Sequence, residues 1–166
     1  MNVSLRQFEE CDIPNKVRWI NDENNNRFLH YDLPLSEEKT FVWFRANLNR
    51  TDRYDAVIEC DGVPVGIIGL LTIADGKAEY YVTLGESEAK GKGIAKQATL
   101  VLLKYAFEKL GLKTVYLYTE VNNLSAQKLF ERCGFCRKGI EKDSAVNRGV
   151  SVDRYYYEIS CEDMEI

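Results

Sequence analysis

The residues best suited to chemistry in this sequence are two glycines and three lysines between residues 90 and 96, where a strand-like run gives way to a helix-like one. Gly91 and Gly93 have no Cβ, so the backbone there can approach a ligand closely. The first N–H groups of the following helix lack intrahelical partners and attract anions. Positive charge is added by Lys90, Lys92 and Lys96. This stretch therefore predicts a site for a pyrophosphate group.

Two common phosphate-binding motifs do not fit this stretch. A P-loop has four residues between its first glycine and a Gly-Lys pair, then Ser or Thr, whereas five residues separate Gly85 from Gly91 and the lysine is followed by Gly93. A dinucleotide fingerprint needs a third glycine at the position of Lys96. The pattern that remains is (Arg/Gln)-x-x-Gly-x-(Gly/Ala), which residues 90 to 95 match with lysine in first place.

A second pattern lies in residues 114 to 135, where a strand-like run passes through an asparagine-containing turn into a helix ending at Gly-Phe. With their spacing, the two patterns resemble the Gcn5-related N-acetyltransferase (GNAT) family over nearly the full chain. The layout is most similar to the branch of ribosomal-protein alanine, spermidine and amino-sugar acetyltransferases. The matching residues are Asn122, Ser125, Leu129, Glu131, Arg132, Gly134 and Phe135. Asn122 and Asn123 each suit both a helix cap and a coenzyme contact, and both roles stay open.

The resemblance implies that acetyl-CoA is the cosubstrate and that its pyrophosphate binds the glycine-rich stretch. Backbone N–H groups of residues 82 to 84 would polarise the thioester carbonyl where their strand separates from its neighbour. The resemblance implies no metal. The implied coenzyme contacts are Val82, Thr83, Leu84, Lys90, Gly91, Lys92, Gly93, Ile94, Ala95, Lys96, Asn122, Ser125 and Phe130.

Glu79 is the candidate general base for direct attack of an amine on the thioester. An amine with a pKa near ~10 is protonated at neutral pH, so a base must take its proton. The apolar neighbours Ala78, Tyr80 and Tyr81 are expected to raise the pKa of the Glu79 carboxyl. The structural alternative is an ordinary surface carboxylate at a strand end.

The sequence differs from the family mainly at the residue expected to donate a proton to the thiolate leaving group. The resemblance implies a tyrosine immediately before Glu131, and this sequence has Phe130 there. Three alternatives stay open: Tyr116 or Tyr118 takes the role, the thiolate leaves unaided, or the chain binds CoA without much catalysis. Tyr118 is the residue assigned to catalysis here. His30, the only histidine, is a further candidate base if its loop folds over the acceptor.

Residues 21 to 36 are rich in Asn, Asp and Pro and are predicted to be loop for much of their length. Acidic residues outnumber basic ones there, which favours a cationic acceptor such as a polyamine, a lysine side chain or a peptide N-terminus. An amino-sugar nucleotide is the alternative acceptor, and a non-catalytic CoA-binding module is the alternative function. The resemblance implies that this region lines the acceptor site, with the candidates Asn21, Arg27, His30 and Tyr31.

The hydrophobic pattern predicts the elements that position these residues, in the order β α α β β β α β α β with a closing hairpin about residues 147 to 149. Asp61-Gly62 is a strong turn signal between two strands. The order indicates an α/β (α+β) fold, a mixed, mostly antiparallel twisted sheet with helices on both faces, in one domain of residues 1–166. The predicted elements include strands at 56–60, 64–73 and 80–84, a helix from Lys16 and a helix from Ile94 to Gly111.

Length and charge exclude several protein classes. The 166 residues, with a net charge of −4, suit one domain with a sizeable core. No apolar run approaches ~18 residues and no signal-peptide pattern opens the chain, so a cytoplasmic protein without a membrane partner is expected. Dispersed Lys and Arg argue against nucleic acid. The expected partner is a small-molecule or peptide amine, and a homodimer is allowed for.

The five cysteines have spacings that form no disulfide framework. One interpretation of Cys133 and Cys136 is a redox pair or half of a zinc site. The structural interpretation, a helix end packing into the core before a strand, is the favoured one because no second pair of ligands accompanies them.

Overall fold

The computed structural model describes residues 1–164. The strands are β1 (Val3–Gln7), β2 (Tyr54–Cys60), β3 (Val63–Ala74), β4 (Lys77–Leu84), β5 (Thr114–Glu120), β6 (Cys136–Asn147) and β7 (Val150–Ser160). The α-helices are α1 (Ile13–Asn21), α2 (Glu23–Asn26), α3 (Glu37–Asn47), α4 (Ile94–Glu108) and α5 (Leu124–Arg132). No helix in this part of the chain has the length and apolarity needed to cross a membrane.

The seven strands form one sheet in the order β1-β2-β3-β4-β5-β7-β6. Only the β4–β5 pair is parallel, and the other five pairs are antiparallel. The mixed, mostly antiparallel sheet expected from the sequence is therefore confirmed. A parallel pair requires a crossover connection, and α4 supplies it between β4 and β5.

Helices cover both faces of the sheet, as predicted. On one face, α4 and α5 pack on the main core, to which α4 contributes the fully buried Leu102 and Leu103. On the other face, Trp19 and Ile20 of α1 form a second cluster with neighbouring strands. Full burial of one such apolar side chain contributes about 1.5–3 kcal/mol, so each helix is fixed mainly by its apolar stripe.

The β2–β3 hairpin forms at the predicted turn. Asp61 and Gly62 have φ angles of 51° and 81°, the left-handed values that a two-residue turn of this hand requires. The two strands extend slightly beyond the predicted 56–60 and 64–73. A second two-residue turn, at Asp75 and Gly76 with φ angles of 54° and 77°, places β3 beside β4, the strand that carries Glu79.

Trp19 fixes α1 against the end of β4. A Cβ at position 85 would lie 2.1 Å from the Trp19 ring, so only glycine allows this contact. The Trp19 indole donates to the Glu86 carboxylate at 2.8 Å, and Arg18 donates to the same group at 2.6 Å. Gly85 is therefore required by packing, in addition to ending the strand.

The first helical region differs from the prediction in its bounds. Helix α1 begins at Ile13 rather than Lys16, with a proline in its first turn where that residue is tolerated. The segment expected to be loop contains α2, whose first turn is capped by Asp22 accepting from the Asn24 N–H at 2.9 Å. The cap explains how an asparagine-rich stretch of low helix propensity forms a helical turn.

The cysteines follow the structural interpretation. Cys133 is 5% exposed and packs in the main core, whereas Cys136 is exposed, and all five thiols are free. Among residues 1–164, no three His, Cys, Asp or Glu side chains group closely enough to hold a metal ion.

Candidate active site

The candidate site lies where β4 and β5 separate. The two strands pair at three positions, the last of which joins Glu79 to Tyr116. Strand β4 nevertheless stays paired with β3 as far as Leu84, so the separation leaves the other edge of β4 free. A cavity of about 640 Å³ occupies the gap and is lined by residues 79 to 84 along that edge.

Backbone N–H groups of β4 point into this gap. The Gly85 N–H donates to the Val65 carbonyl of β3 at 2.8 Å. Because successive residues of a strand direct their N–H groups to opposite neighbours, Val82 and Leu84 direct theirs into the gap, while Thr83 directs its own toward β3. The sequence prediction assigned all three N–H groups to the coenzyme, and the alternation removes the N–H of Thr83 from that set.

The N-terminus of α4 has no side-chain cap. Its N-cap residue is Gly93, with a left-handed φ of 78°, and Gly91 has a φ of 76°. By contrast, α3 and α5 are capped by the side chains of Ser36 and Asn123. The first N–H groups of α4 are therefore free to bind an anion, and the Gly91 and Gly93 Cα atoms face open space.

The predicted lysines have different surroundings. Lys90 lines the cavity and donates to the Asn25 side chain, and Ala95 lines it as well. Lys92 and Lys96 are exposed on the loop and helix outside the cavity lining. The side chain of Ile94 is 2% exposed in the main core, so only its backbone is available to a ligand.

Asn123, rather than Asn122, lines the cavity. Its side-chain oxygen also accepts from the Ala126 N–H at 3.4 Å, so it caps α5 while facing the gap. Asn122 is exposed and lies outside the lining, so of the two neighbouring asparagines only Asn123 faces this cavity. Ser125 and Phe130 both line the cavity, as expected for coenzyme contacts.

Glu79 lies at the closed end of the gap. Its side chain is half-buried, lines the cavity and makes no hydrogen bond or ion pair with any described residue. Burial raises the pKa of the Glu79 carboxyl above its ordinary value, and the positive charge of Arg154 partly opposes this. The direction of the shift is the one that the apolar neighbours predicted.

The acceptor candidates divide into two pairs. Arg27 and His30 line the cavity, whereas Asn21 and Tyr31 lie outside it. The Asn21 amide bonds both backbone groups of Leu35, at 2.9 and 2.7 Å, and so holds the loop in shape. Tyr31 lines a separate cavity of about 440 Å³ beside Lys16. The structure therefore does not bring Asn21 and Tyr31 together with Arg27 and His30 in one cavity.

This geometry agrees with a match to a known family. The family model described as an acetyltransferase (GNAT) domain matches residues 2–136. The chain belongs to this family. As a GNAT protein it is an N-acetyltransferase, and acetyl-CoA is its cosubstrate.

Individual relatives cover most of the chain. A spermidine N(1)-acetyltransferase of Vibrio cholerae is 28% identical over 163 residues, which cover 93% of this chain and 91% of the relative. A putative ribosomal N-acetyltransferase of Bacillus subtilis, YdaF, is 34% identical over 109 residues, covering 63% of this chain and 58% of the relative. The fold is similar to a crystal structure of spermidine N-acetyltransferase from Vibrio cholerae in complex with CoA and spermine, with a TM-score of 0.90, 23% identity, and coverage of 97% and 96% of the two chains.

This GNAT enzyme has Phe130 where the family pattern has a tyrosine, and other tyrosines lie near the cavity. Phe130 packs edge-on against Tyr80 at a centroid distance of 5.8 Å. Tyr118 lines the active-site cavity, whereas Tyr116 lines only a shallow pocket beyond it. Burial, with the nearby charges of Glu141 and Glu79, raises the pKa of the Tyr118 phenol, so it stays protonated at neutral pH.

Several residues that line the cavity were missed at the level of sequence, and Glu120 is the most deeply buried charged one. Glu120, the last residue of β5, is 6% exposed and lines the cavity. Its Oε2 accepts from His30 Nε2 and from Asn147 Nδ2, each at 2.7 Å. Asn147 also donates to the Arg27 carbonyl at 2.8 Å, so the β6–β7 hairpin holds the segment that carries Arg27 and His30 over the gap. No short motif contains Glu120, because its partners are distant in sequence.

Proposed function

We propose that this enzyme transfers the acetyl group of acetyl-CoA to a primary amine of a polyamine, with Glu79 as the general base. The observation that carries the proposal is the half-buried Glu79 carboxylate, which lies beside the free edge of β4 and has no hydrogen-bond or ion-pair partner among residues 1–164. The acceptor class is supported by the names of the spermidine acetyltransferase relatives and by the acidic balance of the acceptor region.

Acetyl-CoA fits the gap on three grounds. The free N–H groups at the start of α4 suit its pyrophosphate, and Lys90 adds positive charge beside them. The free edge of β4 offers the N–H groups of Val82 and Leu84 to the amide and carbonyl oxygens of the acylated arm. Asn123 and Ser125 line the opposite wall.

Glu79 would remove the proton that the amine must lose. A primary amine with a pKa near ~10.4 arrives protonated, and a carboxylate with a raised pKa is a better proton acceptor than an ordinary one. The amine nitrogen then forms a bond to the carbonyl carbon, the carbon–sulfur bond breaks, and the nitrogen releases a second proton. The products are an acetamide and the CoA thiol once sulfur has gained a proton, so that one proton is released overall.

Tyr118 is the tyrosine suited to supply that proton, because it lines the cavity and Tyr116 does not. We expect Tyr118→Phe to lower kcat about tenfold or more, since general acid catalysis typically contributes that much or more. Tyr116→Phe, a matched change on the same face of β5, is expected to leave kcat near the native value. Equal rates for the two variants would show that the thiolate leaves without Tyr118.

The acceptor class is tested by measuring thiol release from acetyl-CoA with a panel of amines. The panel contains spermidine, spermine, a lysine peptide, a peptide with a free N-terminus and an amino-sugar nucleotide. We expect turnover to be fastest with the polyamines. Faster turnover of the amino-sugar nucleotide would overturn the acceptor class, and CoA binding by calorimetry without turnover of any amine would indicate a binding module.

Four further statements made from the sequence remain predictions. They are a single domain over residues 1–166, a cytoplasmic location, no nucleic-acid or membrane partner, and an oligomeric state for which a homodimer is allowed. The net charge of −4 supports the prediction about nucleic acid. Cell fractionation and sedimentation of the purified enzyme test the location and the oligomeric state.

A further inference from the structure

Glu120 is a buried carboxylate in the cavity without a lysine or arginine partner. It is 6% exposed and lines the cavity. Within residues 1–164, its one ion-pairing contact is His30, at 2.7 Å. Burying a carboxylate without a fixed positive partner is unfavourable. Such a residue in a ligand cavity points to a ligand that brings the positive charge.

A potential partner for Glu120 is held elsewhere. Arg154 lies directly opposite Glu120 in the β5–β7 ladder, where side chains share one face of the sheet. Its guanidinium instead donates to the Ser144 hydroxyl and carbonyl, both at 3.0 Å, and lies over the Tyr118 ring at 4.6 Å. The nearest cross-strand positive charge is therefore directed away from Glu120.

The two oxygens of Glu120 are used unequally. Oε2 accepts both hydrogen bonds, from His30 and Asn147. Oε1 accepts none from the residues that the structure describes. An ionised carboxylate has about four acceptor positions, so one oxygen is left for an N–H of a ligand. His30 and Asn147 fix the orientation of the carboxylate while leaving that oxygen open.

Glu120 and Glu79 face the same side of the sheet. Glu79 pairs with Tyr116, and side chains two and four residues further along β5 point the same way. Glu120 is four residues from Tyr116, or roughly 13 Å along the strand. An extended flexible amine can therefore place one nitrogen near Glu79 and a second near Glu120.

We propose that Glu120 binds a second ammonium group of the acceptor while the first ammonium reacts beside Glu79. The inference rests on the proposed function and narrows it to acceptors with two or more cationic nitrogens on one flexible chain. His30 and Asn147 are positioning residues that hold the Glu120 carboxylate toward the cavity.

The test is Glu120→Gln, which keeps an oxygen to accept from His30 and Asn147 but removes the charge. Glu108→Gln, on the exposed end of α4, is the matched control for loss of one negative charge. Each variant is assayed with spermidine and with propylamine, which has a reactive primary amine but no second charge. Spermidine binding to the CoA-loaded enzyme is measured in parallel by calorimetry.

We expect Glu120→Gln to raise KM and Kd for spermidine about 10- to 100-fold, the usual scale for a hydrogen bond to a charged group, with kcat little changed. With propylamine, we expect the kcat/KM of Glu120→Gln to stay within about twofold of native. The control Glu108→Gln is expected to leave the kinetic constants for both amines unchanged. Equal effects on the two amines, or unchanged spermidine binding, would overturn the inference and leave Glu120 as a support for the loop. Failure of the native enzyme to acetylate any polyamine would instead overturn the proposed acceptor class.

Discussion

Glu79 and Glu120 are two carboxylates on the same face of the same gap, and they differ in their partners. Glu79 is half-buried and makes no hydrogen bond with the described residues, whereas Glu120 is 6% exposed and accepts from His30 and Asn147. A carboxylate without partners can gain and lose a proton with little rearrangement, and one held by two donors is fixed in place. We infer that the first suits proton transfer and the second suits ligand recognition.

The largest effect that separates the two residues is expected in kcat. Glu79→Gln should lower kcat about 100-fold or more, because the variant cannot accept the amine proton. Its affinity for CoA, measured by calorimetry, should be unchanged, since residue 79 lies at the closed end of the gap. Glu120→Gln should instead act through KM. Similar losses of kcat in both variants would contradict the division of roles.

The pH dependence of kcat/KM sharpens the same comparison. Burial raises the pKa of Glu79, so activity should fall as the pH is lowered through that raised pKa, where the carboxylate becomes protonated. Arg154 opposes the shift, so Arg154→Gln should move this acidic limb to higher pH. The exposed Lys142→Gln is the control and should leave the limb in place. A limb that does not move in Arg154→Gln would argue against Glu79 as the titrating base.

The support of Glu120 can be removed separately from its charge. Asn147→Ala deletes the hydrogen bonds to Glu120 and to the Arg27 carbonyl, and we expect it to lower the free energy of unfolding by about 1–2 kcal/mol. Asn49→Ala, at an exposed position, is the control and should be neutral. The measurement is denaturant unfolding. A neutral Asn147→Ala would mean that the two Asn147 hydrogen bonds do not stabilise the folded state.

The smallest expected effect is on stability at Glu79 itself. Because its folded-state pKa is raised above the unfolded value, the folded state binds more protons in the intervening pH range, and stability falls as the pH rises through it. Glu79→Gln should therefore raise the melting temperature at neutral pH, and the gain should disappear at acidic pH. A melting temperature lowered at neutral pH would show that Glu79 has a stabilising contact.

Local sequence signals were enough for much of the fold and for the glycine turn at the start of α4. The turn at Asp61-Gly62 needs left-handed backbone angles at two successive residues, and the predicted hairpin forms there. The uncapped start of α4 follows from Gly93 at the N-cap, which has no side chain to supply an acceptor. Such features depend on neighbouring residues alone, so they can be inferred from one sequence.

The acceptor side could not be inferred in this way, because its contacts join distant parts of the chain. Glu120 meets His30 across 90 residues and Asn147 across 27. Asn122 and Asn123 are identical neighbours, and only the start of α5 decides which of them faces the gap. Asn21 was a candidate because the resemblance implies that its region lines the acceptor site, but its amide bonds the backbone of Leu35 within the loop.

The short seam between β4 and β5 has a consequence for motion. Three paired positions join a four-stranded part of the sheet, β1 to β4, to a three-stranded part, β5 to β7. Transient separation of β4 from β5 is expected to be among the local openings of the sheet that need the least free energy. A molecule that contacts both sides would suppress it, because ligand binding stabilises the conformation that it bridges. Amide exchange should then slow even in β7, which pairs with β5 along the edge away from this junction.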